Sequence, residues 1–281
     1  MGSFSILNNI PAIYAQNHLG VTQANLTQTI NRLSSGKRIN SGADDAAGLM
    51  IADTLRANVH ALNQAVRNAN DCISVGQIAD GALQEITNLL TRTITLAEEA
   101  ATETVDDNGR AALDQEFTQI KAEIDRIANK TNFNGVKIFT ADGLNGDLQV
   151  FVGDIFDTSS ISVTIDMISA ADIGGIDLTD DNLLDQTAAT TTLTQVRDAL
   201  IAAASMRGTI GAGMNRLQSA VQVMLSQSLN TQSAESTIRD ANMATEISNI
   251  TKYQILSQSG IAALSQANAQ SASILALMQG I

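Results

Sequence analysis

The chain has 281 residues, a formal net charge of −13, one cysteine and one proline; 44% of its residues are hydrophobic but only 3% are aromatic. Such an acidic chain, with no basic stripe to displace counterions, excludes nucleic acid and anionic membranes as partners, and the lone Cys72 excludes an internal disulfide. With Pro11 as the single breaker and Ala, Leu, Gln and Ile abundant, the composition favours long helices packed through small side chains over a core of large ones.

The chain opens on "MGSFSILNNIPAIYAQNHLGVTQANLTQTIN", thirty-one residues without an Asp, Glu, Lys or Arg. No basic start followed by an apolar run marks a secretory signal, and Ile6 stands where a myristoylation motif needs Ser or Thr. After "LSSGKRIN", Ser41 followed by Asp44 has capping-box spacing, so a helix is expected to begin near there. Leu55, Leu62, Ala69, Gly76, Leu83, Leu90 and Ala97 then recur every seven residues, with Ala65, Cys72, Ala79, Ile86 and Ala100 in a second row. This predicts one helix of about 60 residues, roughly 90 Å long.

"DDNG" at 106–109 reads as a turn, followed by a shorter helix with Leu113, Phe117, Ile120, Ile124 and Ile127 on one stripe, stopping before "TNFNG". "DLQVFVGDIF" and "SISVTIDMI" alternate apolar and polar residues and predict a β-hairpin. They lie in a stretch between Lys137 and Arg197 that has no Lys, Arg or Glu but is rich in Asp. Heptads resume at Val196, Ala203, Ile210, Leu217, Met224, Thr231 and Ile238, and helical character continues into "YQILSQSGIAALSQANAQSASILALMQGI", again uncharged. Its amides and hydroxyls interrupt any apolar run near the ~20 residues a bilayer requires, so no membrane insertion is expected.

The expected class is therefore mainly α: a long antiparallel α-helical coiled-coil or bundle rod with a small β-hairpin region, whose two uncharged terminal helices pair. In the last helix Ile261, Leu264, Leu275 and Met278 form one seam, and Tyr253, Leu256, Ala263, Ala267, Ile274 and Leu277 another. One partner helix carrying Ile6, Leu7, Ile10, Ile13, Leu19 and Leu26 cannot cover both seams; further copies of the same chain can. Eight of these residues (Ile6, Ile10, Ile13, Leu26, Ile261, Leu264, Leu275, Met278) are the candidate assembly core. Before assembly the ends are expected to have little to pack against and to fold as they bind.

The segments "LSSGKRINSGADDAAGLMIAD", "AVRNANDCISVGQIADGALQEI", "RIANKTNFNGVKIF", "RGTIGAGMNRLQS" and "STIRDANMATEISNITKYQILSQSGIAALSQAN" resemble, in order, those of bacterial flagellins. The resemblance covers nearly everything but the acidic middle. It implies a structural subunit that polymerises into the helical flagellar filament, with the terminal helices paired as an inner-tube coiled coil and the long helices around it. The implied divisions are residues 1–42 and 242–281 for the inner-tube domain, 43–139 and 191–241 for the rod domain, and 140–190 for a reduced variable region. Implied partners are other copies, the filament cap, hook-junction proteins, an export chaperone and the flagellar export apparatus. The implied location is extracellular, in the filament, after type III export. Arg92, Leu96 and Glu116 match positions through which an animal Toll-like receptor contacts the family; they equally suit a polar helix face that mates with a neighbouring subunit. A hook–filament junction adaptor, with flagellin-like ends, is the alternative, although the full "NRLSSGKRINSGADDAAG" and "RDANMATEISN" signatures favour the filament. Two departures are Cys72, where the family usually has Gly, and Asn242, where Asp is usual.

No enzymatic activity, cofactor or metal is expected. His18 and His60 stand alone on helical segments, no HExxH is present, and Cys72 has no neighbouring base in sequence and falls in a heptad row, as a packing residue would. "DLTDDNLLD" (Asp177 to Asp185) lacks the spacing and glycine of an EF-hand and reads as a solvated acidic loop. The resemblance makes Thr158, Ser159, Ser160 and Thr190 to Thr192 plausible O-glycan acceptors.

Overall fold

Asn9 begins the first helix: its side-chain oxygen accepts from the Ala12 amide, Pro11 occupies the first turn where no N–H is needed, and Gly36, at φ 70°, ends the helix in the left-handed region. This helix, α1 (Ile10–Ser35), belongs to a computed structural model that describes residues 9–279 except 141, 142, 145, 156 and 158, with backbone alone over 271–279. Four more helices follow: α2 (Ala46–Ala100), α3 (Asp107–Lys130), α4 (Gln186–Arg239) and α5 (Met243–Gln279). Between α3 and α4 lie, among the described residues, three antiparallel strand pairs: β1 (Asn132–Phe133) with β2 (Val136–Lys137), β3 (Gly146–Phe151) with β4 (Ser160–Ile165), and β5 (Ile168–Ser169) with β6 (Asp172–Ile173). The expected mainly α class with a small β region is what the chain adopts.

Two local expectations are corrected. A helix does start near Ser41 and Asp44, since α2 begins at Ala46, but their capping-box spacing does not form its N-terminus. The Asp44 carboxylate accepts from the Asn40 and Ser41 amides, at 3.1 and 3.0 Å, and from Gln28 Nε2 at 2.8 Å, closing a loop that precedes the helix. Asp45 performs the capping, accepting from the Gly48 amide at 2.9 Å. "DDNG" is likewise a helix start and not a turn: Asp106 Oδ1 accepts from the Gly109 amide, and the actual turn occupies the residues just before it. In both cases an Asx motif serves a turn or a cap equally well, and only the path of the neighbouring chain distinguishes them.

Backbone contacts divide the chain into two compact units, Met1–Arg56 with Thr231–Ile281, and Ala57–Asn230; α2 and α4 contribute to both. In the second unit the heptad rows become the core. Leu62, Ala69, Leu83, Leu90 and Ala97 of α2 are buried together with Val196, Ala203, Ile210, Leu217 and Met224 of α4. A second α4 row, Thr192, Ala199, Met206, Gly213, Val221 and Ser228, also faces inward. It escapes a reading for apolar residues because four of its six members, Thr192, Ala199, Gly213 and Ser228, are small or hydroxylated. Gly213 lets β4 approach, since a Cβ there would lie 3.0 Å from the Val163 methyl carbons. Cys72 is buried in this core, as its heptad position predicts.

The predicted hairpin is present, with Val150 opposite Ile161 and Leu148 opposite Val163. The acidic stretch beyond it is less solvated than expected. Ile168, Ile173, Leu178 and Leu183 are buried, while α3 holds the loop: Lys121 Nζ donates to the Thr179 and Asp181 carbonyls, Asp125 accepts from the Ala170 amide and Asp114 from the Leu183 amide. Apolar residues spaced irregularly among aspartates give no periodic signal, so composition alone made this segment look like a loose loop.

Candidate assembly surface

The first unit holds both uncharged segments. α1 and α5 run antiparallel beside each other, tied at one end by Asn9 Nδ2 donating to the Ala267 carbonyl at 3.0 Å. The other end is stitched by backbone bonds from Arg38 to the Arg239 carbonyl at 2.7 Å and from Ala241 to the Gly36 carbonyl at 2.9 Å. Arg239 also donates to Asp53 at 2.9 Å. Asn242 caps α5 by accepting from the Ala244 and Thr245 amides, a task Asn and Asp perform about equally, so the departure from the usual Asp costs nothing there.

The seam between the two helices is spaced by threes and fours. On α1 it comprises Ala12, Ala15, Leu19, Thr22, Leu26 and the buried Thr29; on α5 it comprises Tyr253, Ser257, Gly260, Leu264 and Ala267. Small residues predominate, and a Cβ on Gly260 would sit 3.3 Å from Leu19 Cδ1, so the two helices approach closely. The expectation that the ends have little to pack against before assembly is corrected over 10–35 and 243–270, where they pack on each other within one chain.

The candidate assembly residues divide between that seam and its outside. Leu26 and Leu264 are half-buried in it. Ile10, Ile13 and Ile261 are outside it and more than half exposed, at 53, 52 and 57%. Ile6, Leu275 and Met278 lie outside the residues whose side chains are described. Tyr14, Val21 and Ile255 extend the exposed apolar set along both helices. No charged side chain comes between Ile10 and Asn31 or between Tyr253 and Gln270, so this surface repels nothing apolar and offers no ion for another ion to find.

In the second unit Arg92 and Glu116 form a two-pronged ion pair, Nε to Oε1 at 2.8 Å and Nη2 to Oε2 at 3.1 Å, on the surface. The hydrogen bonds from Arg92 hold the Glu116 carboxyl below the usual carboxylate range. Leu96, grouped with them by the resemblance, is 1% exposed and belongs to the core. It can support that surface only from beneath, because the apolar side of α2 is already covered. Thr192 is also buried, donating to the Asn182 carbonyl at 3.0 Å, whereas Ser159, Ser160, Thr190 and Thr191 are exposed and Thr158 lies outside the described residues. His18 and His60 are exposed on helices, and among the described residues no group of three or more His, Cys, Asp or Glu could hold a metal ion. No helix among the described residues is long and apolar enough to cross a membrane.

Two family descriptions match the chain: "Bacterial flagellin N-terminal helical region" over residues 6–143 and "Bacterial flagellin C-terminal helical region" over 193–278. The chain belongs to the bacterial flagellin family. Family membership accounts for most of both uncharged ends and of the two long helices: the matches take in all of α1 and α2, and α4 from residue 193 onward. A flagellin of Halalkalibacterium halodurans is 36% identical over 276 residues, covering 98% of this chain and 99% of that one. A flagellar filament 31.3 kDa core protein of Treponema maltophilum is 34% identical over 285 residues, covering 98 and 99%. Relatives of nearly equal length place this chain among the short flagellins. A solved flagellar hook-associated protein of Vibrio parahaemolyticus shares the fold at TM-score 0.58 over 70% of this chain and all of its own, at 14% identity.

Proposed function

We propose that the chain is a structural subunit that polymerises into the helical bacterial flagellar filament, an extracellular assembly used for motility, and that it is not an enzyme. The observation that carries this reading is the exposed, charge-free apolar surface around the α1–α5 seam. Each large side chain buried there by another copy contributes about 1.5–3 kcal/mol. The same surface would be hard to maintain on a chain that stays alone. The names of the near-full-length relatives, a flagellin and a flagellar filament core protein, support the same reading.

Within that reading, residues 1–42 and 242–281 form the inner-tube part, 43–139 and 191–241 the surrounding layer, and 140–190 the outer region. Ile6, Leu275 and Met278 join Ile10, Ile13 and Ile261 against neighbouring copies, while Leu26 and Leu264 hold the pair together. Other partners are the filament cap, hook-junction proteins, an export chaperone and the export apparatus. The Arg92–Glu116 pair mates with a neighbouring subunit, and is the place where an animal Toll-like receptor would engage a free subunit. Electron microscopy of purified protein after addition of filament seeds tests the reading: long tubes are expected, and failure to elongate would favour a junction adaptor that forms only a short ring.

A further inference from the structure

Asn134 and Gly135 are exposed and have positive φ, 50° and 82°. They are the two residues between Phe133 and Val136, the pair that closes the β1–β2 hairpin. Two central residues with positive φ make this a type I′ turn, the Asn-Gly hairpin connection. Type II′ turns also connect hairpin strands, with Gly preferred and Asn tolerated at the first central position, and flipping the single peptide plane between Asn134 and Gly135 converts one turn into the other with the strands left in place. In the flipped form ψ of the first central residue is near −120°, the mirror image of type II. That rotation carries the Gly135 nitrogen towards the carbonyl carbon of the Asn134 side chain. Asn134 and Gly135 are both exposed, so no packed side chain opposes the flip.

We propose that Asn134 is a site of spontaneous covalent modification, at which the backbone itself is the nucleophile. The Gly135 amide gives its proton to hydroxide, its nitrogen bonds to Cγ of Asn134, and the C–N bond of the carboxamide breaks to release ammonia. The five-membered succinimide that remains is opened by water at either carbonyl, leaving aspartate or isoaspartate at position 134. The net change is one water consumed and one ammonia released, with no oxidant and no cofactor. A neutral side chain becomes a carboxylate. In the isoaspartyl product the main chain runs through Cβ, so a two-residue turn gains a backbone atom. The turn leads directly into the buried Ile138 and Phe139, and the Ile138 amide donates to the Thr131 carbonyl at 3.1 Å. The hairpin therefore carries a chemical record of the time since folding, written next to the core.

A second Asn-Gly step supplies the internal control. Asn108 and Gly109 lie in the first turn of α3, where the Gly109 amide is engaged by Asp106 Oδ1 at 2.9 Å and helical ψ keeps the nitrogen away from its own residue's neighbour. A third, at 145–146, has its asparagine outside the described residues. The test incubates the full soluble chain in mildly alkaline buffer, then follows each peptide by mass spectrometry and by labelling with protein isoaspartyl methyltransferase. A parallel incubation is made in denaturing urea. In the native chain Asn134 is expected to convert about tenfold or more faster than Asn108, while in urea the two converge. An Asn134 that stays intact in the native chain and reacts only in urea would overturn the proposal, as would equal native rates at Asn134 and Asn108. No variant is needed for either comparison, and neither outcome depends on whether the chain polymerises.

Discussion

At the scale of single residues, surroundings override intrinsic chemistry in opposite directions at Cys72 and Asp44. Burial pushes the Cys72 thiol up to about 11, because a thiolate there would lose its water and gain no partner. Thiol reagents at neutral pH are expected to label the native chain very slowly, and quickly once urea unfolds it; rapid native labelling would mean the helix pair opens locally. Asp44 goes down, to about 2 from 3.8, through hydrogen bonds from Gln28 first and then from the Ser41 and Asn40 amides. A folded value below the unfolded one stabilises the fold fully above about pH 4, and the contribution is lost as pH falls through about 2. The difference in melting temperature between the natural chain and Asp44→Ala is therefore expected to be constant above pH 4 and to shrink on acidification towards pH 2.

Among the elements, the two long helices distinguish an inward row from an outward face with little ambiguity. Leu83 is fully buried in α2, whereas Ile201 on α4 is 67% exposed. Leu83→Ala removes buried methyl groups and leaves a cavity, and is expected to cost about 2–5 kcal/mol. Ile201→Ala, in the free chain, is expected to stay within about 0.5 kcal/mol. Denaturant melts of both variants check this, and equal losses would mean that α4 is turned differently on its axis. The helix starts are finer features. Asp106→Ala removes a cap and is expected to cost about 1 kcal/mol, read in the same melts.

For the whole molecule, the exposed part of the candidate assembly core offers a cleaner handle than the part within the seam. Leu264→Asp would place a carboxylate against α1 and disturb the single chain, because Leu264 is half-buried there. Ile261→Asp changes an exposed side chain one turn from Ser257, outside the seam. The free variant is expected to keep its helicity and melting temperature but to fail to elongate on seeds, because an unpaired carboxylate buried by neighbouring copies costs several kcal/mol at every subunit. Ser159→Asp, on the exposed loop between β3 and β4, should polymerise as the natural chain does. Normal elongation of Ile261→Asp would show that this face stays in water.

The order of the helices, the heptad rows from Leu62 to Ala97 and from Val196 to Met224, the β3–β4 hairpin and the uncharged ends are legible in the sequence alone. Each is a periodic or compositional pattern, and a period of seven or of two survives whatever the chain packs against. Tertiary structure alone decided which motif at 41–45 and 106–109 was cap and which was turn, and that "NFNG" closes a hairpin where the sequence suggested only a helix stop. It also turned Leu96 and Thr192 inward, drew Leu178 and Leu183 out of an acidic loop into the core, and put Leu264 inside the α1–α5 seam and Ile261 outside it. Short polar motifs satisfy a local hydrogen bond in several geometries of similar energy, and an apolar residue faces wherever a neighbour covers it. That choice belongs to contacts between distant segments, which no local spacing records.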